Sequence, residues 1–334
     1  MKKRHINIPV FIPHLGCPNQ CVFCDQRTIS GHTSFDESGV LREIEDAIST
    51  SEGCEREIAF FGGSFTGIDR SLMIRLLDMA QRYVDSGEVS AIRMSTRPDY
   101  IDGEIIGILK KYTLSEVELG VQSMSPHVLE ASKRGHTAEA SERACRLLQS
   151  AGIPCVGQMM IGLPGSEPAD EVYTAEKLCS MGVSAVRIYP TVVFRGTELA
   201  DMIGGGYRPL DTEEAVARSA DVLEIFIAHG IPCRRIGLCD SEMLHSSEKY
   251  AAGPAHPAMG ELVRSEIYRR RISAQMTCAD GRRVTIEVPL GRISAAVGQR
   301  GGNREYFTRQ YGAEGIKFVE NSALPEYNVR VSFD

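Results

Sequence analysis

The chain has 334 residues, 43% of them hydrophobic and 24% charged, with 37 basic against 44 acidic side chains and a net charge of −7. An apolar fraction of that size excludes disorder as a global description, and the length suits one large domain with a smaller one beside it. No apolar run reaches the ~18 residues of a membrane span, so a cytoplasmic protein with no export signal and no membrane partner is expected.

Short apolar runs rich in β-branched residues alternate with longer stretches of helical periodicity. The pattern predicts strands over residues 7–13, 57–61, 91–95, 116–121, 154–161 and 185–193. Between and after them it predicts helices over 36–50, 71–85, 103–111, 138–151, 169–181 and 211–229. Six β–α units in series imply parallel strands in an α/β fold, either a barrel or an open sheet. In both, chemistry sits in the loops after the C-terminal ends of the strands. The rhythm breaks after Cys233. Residues 253–260, Gly-Pro-Ala-His-Pro-Ala-Met-Gly, read as a linker or a shaped loop, with His256 in an ordering role. A helix over 261–271 and a compact β–α–α–β–β pattern from 282 to 331 follow. The expected organisation is therefore a barrel over 1–240, a linker loop and helix over 241–271, and a small module over 272–334.

Charge divides along the same line. Residues 264–334 carry 12 Lys/Arg and 8 Asp/Glu, a net of +4, which leaves −11 on the remainder. A basic end on an acidic body points to an anionic partner for the C-terminal part.

Of the ten cysteines, Cys54, Cys145, Cys155, Cys179, Cys233, Cys239 and Cys278 are scattered singly and read as buried or incidental thiols. The other three crowd into Cys17-Pro18-Asn19-Gln20-Cys21-Val22-Phe23-Cys24, directly after the first strand. Soft thiolates at spacings of four and three suit zinc or an iron–sulfur cluster. Three ligands leave one iron of a [4Fe–4S] cluster open; a closed zinc site would need a fourth ligand such as His14 or His32. One unit later, Glu57–Thr66 ends its strand in Gly62-Gly63-Ser64, where bare glycines let a ligand approach the backbone.

C-x3-C-x2-C with an aromatic before the last cysteine, followed by Gly-Gly after the next strand, resembles the signature of radical S-adenosylmethionine enzymes. Gly120-Val121-Gln122-Ser123, Lys133-Arg134-Gly135-His136 and Ile161-Gly162-Leu163-Pro164-Gly165 narrow the resemblance to the branch that holds anaerobic coproporphyrinogen oxidase and the Elongator catalytic subunit. The resemblance implies a partial (β/α)6 TIM-like barrel and a [4Fe–4S] cluster on Cys17, Cys21 and Cys24. It also implies S-adenosylmethionine as cofactor and a one-electron reductant of flavodoxin or ferredoxin type as partner. Phe23, Gly62, Gly63, Ser64, Gln122, Arg134, Gln158 and Tyr189 are the cofactor-contact candidates that follow from it. In that branch the Gly-Gly pair holds the methionine amino group, the Gln contacts the cofactor and the Arg pairs with its carboxylate. A planar guanidinium suits a bidentate carboxylate. Ser95 and Gln158 stand where the porphyrinogen branch has acidic residues. Ser95-Thr96-Arg97-Pro98-Asp99-Tyr100 is closer to Elongator. The resemblance covers about residues 5–240 and leaves no room within 334 residues for Elongator's acetyltransferase domain.

At the other end, Gly298-Gln299-Arg300-Gly301 between two short helices flanked by strands resembles a KH-type RNA-binding fold. There the loop clamps a nucleic-acid backbone. Glycines and a helix N-terminus favour phosphate, and Arg292, Arg300, Arg304 and Arg309 add positive charge nearby. Gly298, Gln299, Arg300, Gly301 and Arg304 are the RNA-contact candidates. A radical enzyme modifying a tRNA base is thus expected first. Its rivals are a radical enzyme acting on a small metabolite or tetrapyrrole, and an iron–sulfur RNA-binding or sensing protein without turnover.

Overall fold

The computed structural model describes residues 4–12, 17, 21–24, 35–239, 242–279 and 281–333. Gly16, Pro18, Asn19 and Gln20 of the cysteine motif, and His14 and His32, lie outside the described residues.

Six parallel strands stand side by side in chain order: β1 (His5–Ile12), β2 (Glu55–Gly62), β3 (Ala91–Thr96), β4 (Leu114–Gln122), β5 (Cys155–Ile161) and β6 (Ala185–Pro190). Pro190 has no N–H with which to extend the ladder, so the strand expected to run to residue 193 ends there. The chain leaves the sheet for the two-residue strand β7 (Val193–Phe194) and returns as β8 (Cys233–Ile236), a seventh parallel strand beside β6. The alternating pattern undercounts this strand because Cys-Arg-Arg-Ile is four residues long and half of it is charged. β1 and β8 form the two edges of a curled, open half-barrel.

The helices form where the apolar spacing places them. In Arg70–Asp85, Met73, Leu76, Leu77 and Ala80 fall on one buried stripe, and the Asp69 carboxylate accepts the Leu72 N–H at 3.0 Å. Asp102 and Asp211 cap Gly103–Leu109 and Thr212–Ala228 in the same way. Ile8, Val10, Ile58, Phe60, Ile92, Met94, Val117 and Leu119 join these helical stripes in one core. The other face of the sheet carries polar residues from six strands: Asn7, Glu57, Arg93, Glu116, Glu118, Gln158 and Arg187, with Phe11 and Phe61 among them. Parallel sheets covered on both faces are apolar on both; this one has helices on one face and charge on the other.

The stretch expected as a linker is strapped to the barrel. β7 pairs antiparallel with β9 (Tyr250–Ala252), and the Tyr250 hydroxyl donates to the Gly253 carbonyl at 2.6 Å. His256 Nδ1 accepts the Ala258 N–H at 3.1 Å, so this imidazole closes its own turn. Helix Met259–Ser273 then serves two cores. Met259, Val263 and Ile267 complete the barrel's, while Tyr268 and Ile272 open the second. Arg270–Asp221 at 2.6 Å and Arg271–Glu224 at 2.5 Å pin it to the preceding long helix.

The C-terminal module has the expected β–α–α–β–β order. β10 (Arg283–Val288) lies between β11 (Gly315–Glu320), parallel to it, and β12 (Arg330–Phe333), antiparallel. Helices Ile293–Val297 and Gly302–Tyr311 pack on this sheet through Ala296 and Phe307. The turn between them needs glycine at 298: φ is 81°, and a Cβ there would lie 2.8 Å from the Asn303 amide nitrogen. Buried Asn303 locks the turn by donating to the carbonyls of Ser265 at 2.9 Å and Ala296 at 3.1 Å.

Candidate active site

Cys17, Cys21 and Cys24 follow β1 and share the wall of a cavity of about 150 Å³ at the C-terminal ends of the strands. The loop that carries them is anchored by its backbone and by Val22. The Val22 N–H donates to the Ser132 carbonyl at 3.2 Å, and the Val22 carbonyl accepts the Leu199 N–H at 2.8 Å. The Val22 side chain is buried with Val193, Leu199 and Tyr207. Segments after β4 and β6 thus hold a loop that begins after β1. Among the described residues no three His, Cys, Asp or Glu side chains converge on a metal-ligand geometry.

Phe23, Gly62, Gly63, Gln122, Arg134 and Gln158 line the same cavity, so most of the cofactor-contact candidates meet there. Gly62 has φ 111°, and a Cβ would sit 2.5 Å from the Ile12 carbonyl oxygen; only glycine lets β1 and β2 end this close together. Gln122 ends β4 with φ 66°, a left-handed conformation next to a register shift that turns the amide toward the cavity. Arg134 donates through Nη2 to the Gly120 carbonyl at 2.7 Å and through Nη1 to Cys21 Sγ at 3.5 Å.

Ser64 and Tyr189 lie outside this wall. Ser64 is buried one layer behind, its Oγ 2.8 Å from Thr96 Oγ1 and accepting the Arg97 N–H at 3.2 Å. The Tyr189 hydroxyl accepts from Arg187 Nη1 at 3.4 Å, and burial raises its phenol above the usual range. Three further wall residues, Thr96, Arg97 and Gly120, carry no role in the sequence reading. Arg97 is 2% exposed, and Asp99 holds its guanidinium by a two-point contact at 2.9 and 2.8 Å. Its position at the end of β3 was the available signal, since each preceding strand end also contributes to the wall.

Among the described residues, three buried polar atoms of this wall find no hydrogen-bond partner: Arg97 Nη1, Arg134 Nε and Gln122 Oε1. Two are donors on permanent cations and one is an acceptor. Unpaired groups of this kind are costly unless a ligand completes them. Arg134 and Arg97 also bear on His136, which is buried. Burial first, then these two cations, push its pKa down to about 3, so the imidazole stays neutral.

Beneath the wall, Glu118 is fully buried. Its Oε2 accepts from Gln158 Nε2 at 2.6 Å and Ser95 Oγ at 3.5 Å. Its Oε1 accepts from Arg93 at 2.6 Å and Arg187 at 2.7 Å. Arg93 also pairs with Glu116. The carboxylate thus fixes two cavity residues from below.

A curled parallel sheet with its polar cavity and three thiols at the strands' C-terminal ends is the frame of an α/β-barrel enzyme. The chain matches the Radical SAM superfamily over residues 11–178 and the Radical_SAM C-terminal domain over residues 183–269. It belongs to the radical SAM superfamily and is a radical SAM enzyme. It is 31% identical over 237 residues to an uncharacterized protein of Methanocaldococcus jannaschii, covering 67% of this chain and 72% of that one. It is 34% identical over 159 residues to the tRNA uridine(34) acetyltransferase of the same organism, 46% of this chain but 29% of the acetyltransferase. Solved structures share the fold, among them the following two. Methanocaldococcus infernus Elp3 with an N-terminal deletion superposes with a TM-score of 0.63 at 21% identity, over 85% of this chain and 66% of that one. Coproporphyrinogen III oxidase (HemN) of Escherichia coli does so at 0.52 and 14%, over 69% and 54%. No helix among the described residues is long and apolar enough to cross a membrane.

Proposed function

We propose that Cys17, Cys21 and Cys24 hold three irons of a [4Fe–4S] cluster, leaving the fourth to the amino and carboxylate groups of S-adenosylmethionine. The observation that carries this reading is the trio of unpaired buried atoms on the cavity wall. The amino-acid end of the cofactor would supply what they lack: carboxylate oxygens for the N–H groups of Arg134 and Arg97, and amine N–H protons for Gln122 Oε1. When bound, cluster and cofactor would supply radical chemistry: with one electron from the outside donor, they would remove a hydrogen atom from a substrate. The chain's part is to position and to exclude water. Phe23 and the Gly62–Gly63 backbone bound the cavity near the thiols, and Gln158, held by Glu118, bounds it toward the barrel interior.

The substrate we assign is an RNA base, with tRNA first. The support is the net +4 of residues 264–334 and the Gly298–Gly301 turn locked by Asn303, with Arg300 and Arg304 beside it. The close approach that glycines allow and the arginines beside them suit a sugar–phosphate backbone. The kinship with a tRNA uridine(34) acetyltransferase points the same way. That acetyltransferase is matched over less than a third of its length, and its acetyl transfer is not carried over. We place the reaction in the cytoplasm with a flavodoxin- or ferredoxin-type electron donor.

Anaerobically reconstituted protein is expected to bind about four irons per chain and, once reduced, to form 5′-deoxyadenosine. Cys21→Ala should do neither. Binding of tRNA should weaken steeply with salt and in Arg300→Glu. A full complement of zinc in place of iron, or undiminished iron in Cys21→Ala, would refute the cofactor assignment. Salt-insensitive or absent tRNA binding would refute the substrate class. Mass spectrometry of nucleosides from a deletion strain identifies the modified base.

A further inference from the structure

A second cavity, of about 580 Å³, opens on the charged inner face of the sheet. Its size falls within the roughly 300–1,000 Å³ of small-molecule sites. Part of its lining is a self-neutralised net: Arg93 meets Glu57 at 3.5 Å as well as Glu116, and Arg187 meets Glu118. These pairs present donors and acceptors side by side, with little net charge. The cations toward β8 differ. Arg234 is 55% exposed in its side chain and reaches a carboxylate, Glu116, only at 3.6 Å. Among the described residues Arg235 meets no carboxylate, and its Nη1 lies 2.7 Å from Cys239 Sγ. Across the cavity the Phe61 ring forms an apolar wall, 6.3 Å from the ring of Phe11, which is 44% exposed.

One hydrogen-bonded layer separates this chamber from the thiol cavity. Ser95 and Gln158 line the thiol cavity and bond one oxygen of Glu118; the other oxygen holds Arg93 and Arg187, which line the chamber. A group in the chamber therefore lies on the same face of the sheet as the site assigned to the cofactor.

We propose that the chamber receives one nucleotide, with its base against Phe61, its base edge on the Arg93–Glu57 net and its phosphate on Arg234 and Arg235. This deepens the RNA reading and rests on it. A base edge needs donors and acceptors together, which the ion-pair net offers. An aromatic ring offers a stacking face, and paired guanidiniums fit phosphate oxygens. A nucleotide drawn out of its stack needs a chamber of its own. An apolar substrate would strip water from Glu57 and Arg93 and return nothing.

The test is equilibrium binding of the four ribonucleoside 5′-monophosphates and the matching nucleosides to reconstituted holoenzyme with S-adenosylmethionine present. At least one monophosphate is expected to bind in the millimolar range or tighter. Its affinity should fall about tenfold without the phosphate, about tenfold in Arg235→Gln and about tenfold in Phe61→Ala. Should Arg235→Gln lose its fold or its iron, Phe61→Ala and the nucleoside comparison carry the test. No binding at millimolar concentration, or binding indifferent to phosphate and to both substitutions, overturns the assignment. Arg300-dependent tRNA retention with no mononucleotide binding would sink the chamber and spare the RNA reading. Mononucleotide binding with no tRNA retention would support the chamber as a free-nucleotide site and sink the RNA reading.

Discussion

Gly62→Ala tests how strand packing serves the cysteine loop. At Gly62 the backbone has φ 111°, where an L side chain costs about 1–3 kcal/mol. The added methyl would stand 2.5 Å from the Ile12 carbonyl oxygen and 3.0 Å from its carbon, both backbone atoms, and such overpacking costs about 1–3 kcal/mol more. The strand ends must part, and the bond from the Gly63 N–H to the Ile12 carbonyl at 3.0 Å goes with them. A total of about 4 kcal/mol, at about 2 °C per kcal/mol for a chain of this length, lowers Tm by about 8 °C. Ile12 is the last residue of β1 before the cysteines, so iron content after anaerobic reconstitution should fall as well. Thermal unfolding and iron analysis are read together, with Gly103→Ala as control. That glycine opens a helix with nothing within 4 Å of its would-be Cβ, and alanine there is neutral or stabilises by about 0.5–1 kcal/mol. If Gly62→Ala matches wild type in both Tm and iron, the contact between the two strand ends does not hold the loop in place.

Three other outcomes follow from named contacts. Glu118→Leu leaves Arg93 and Arg187 buried without their shared carboxylate and should cost about 3–5 kcal/mol in urea unfolding; a loss under about 1 kcal/mol would mean the net rearranges freely. Asn303→Ala leaves the Ala296 carbonyl unpaired and takes the second donor from the Ser265 carbonyl, which keeps its helical bond; this should cost about 1–3 kcal/mol and weaken tRNA retention without changing iron content. His136 has a folded pKa of about 3, below its unfolded value, so the unfolded chain binds the proton more readily and stability rises with pH between about 3 and 6.5. Between about pH 7.5 and 5.5 the wild type should lose about 1.4 kcal/mol that His136→Gln does not; equal slopes for the two proteins would refute the assignment.

Period and punctuation in the sequence were enough for the six β–α units. Ile8, Val10 and Ile12 recur at a period of two, Met73, Leu76 and Leu77 recur at helical spacing, and Asp69, Asp102 and Asp211 mark helix starts. These signals are local, so they survive without knowledge of the fold. The meeting of the three cysteines with Gly62 and Gly63 on one cavity wall was equally legible, because both segments follow neighbouring strands and the close backbone approach at Gly62 demands glycine. β8 was not legible, since its four residues are a strand only because β6 offers a free edge. The reach of β4 and β6 segments to Val22 was also invisible, as were the shared duty of Met259–Ser273 and the place of Arg97 in the cavity wall. So was the charged inner face, where Glu118 joins Arg93, Arg187 and Gln158 from three other strands. Each of these depends on residues distant in the chain meeting across parallel strands, and no periodicity in one segment encodes its partner in another.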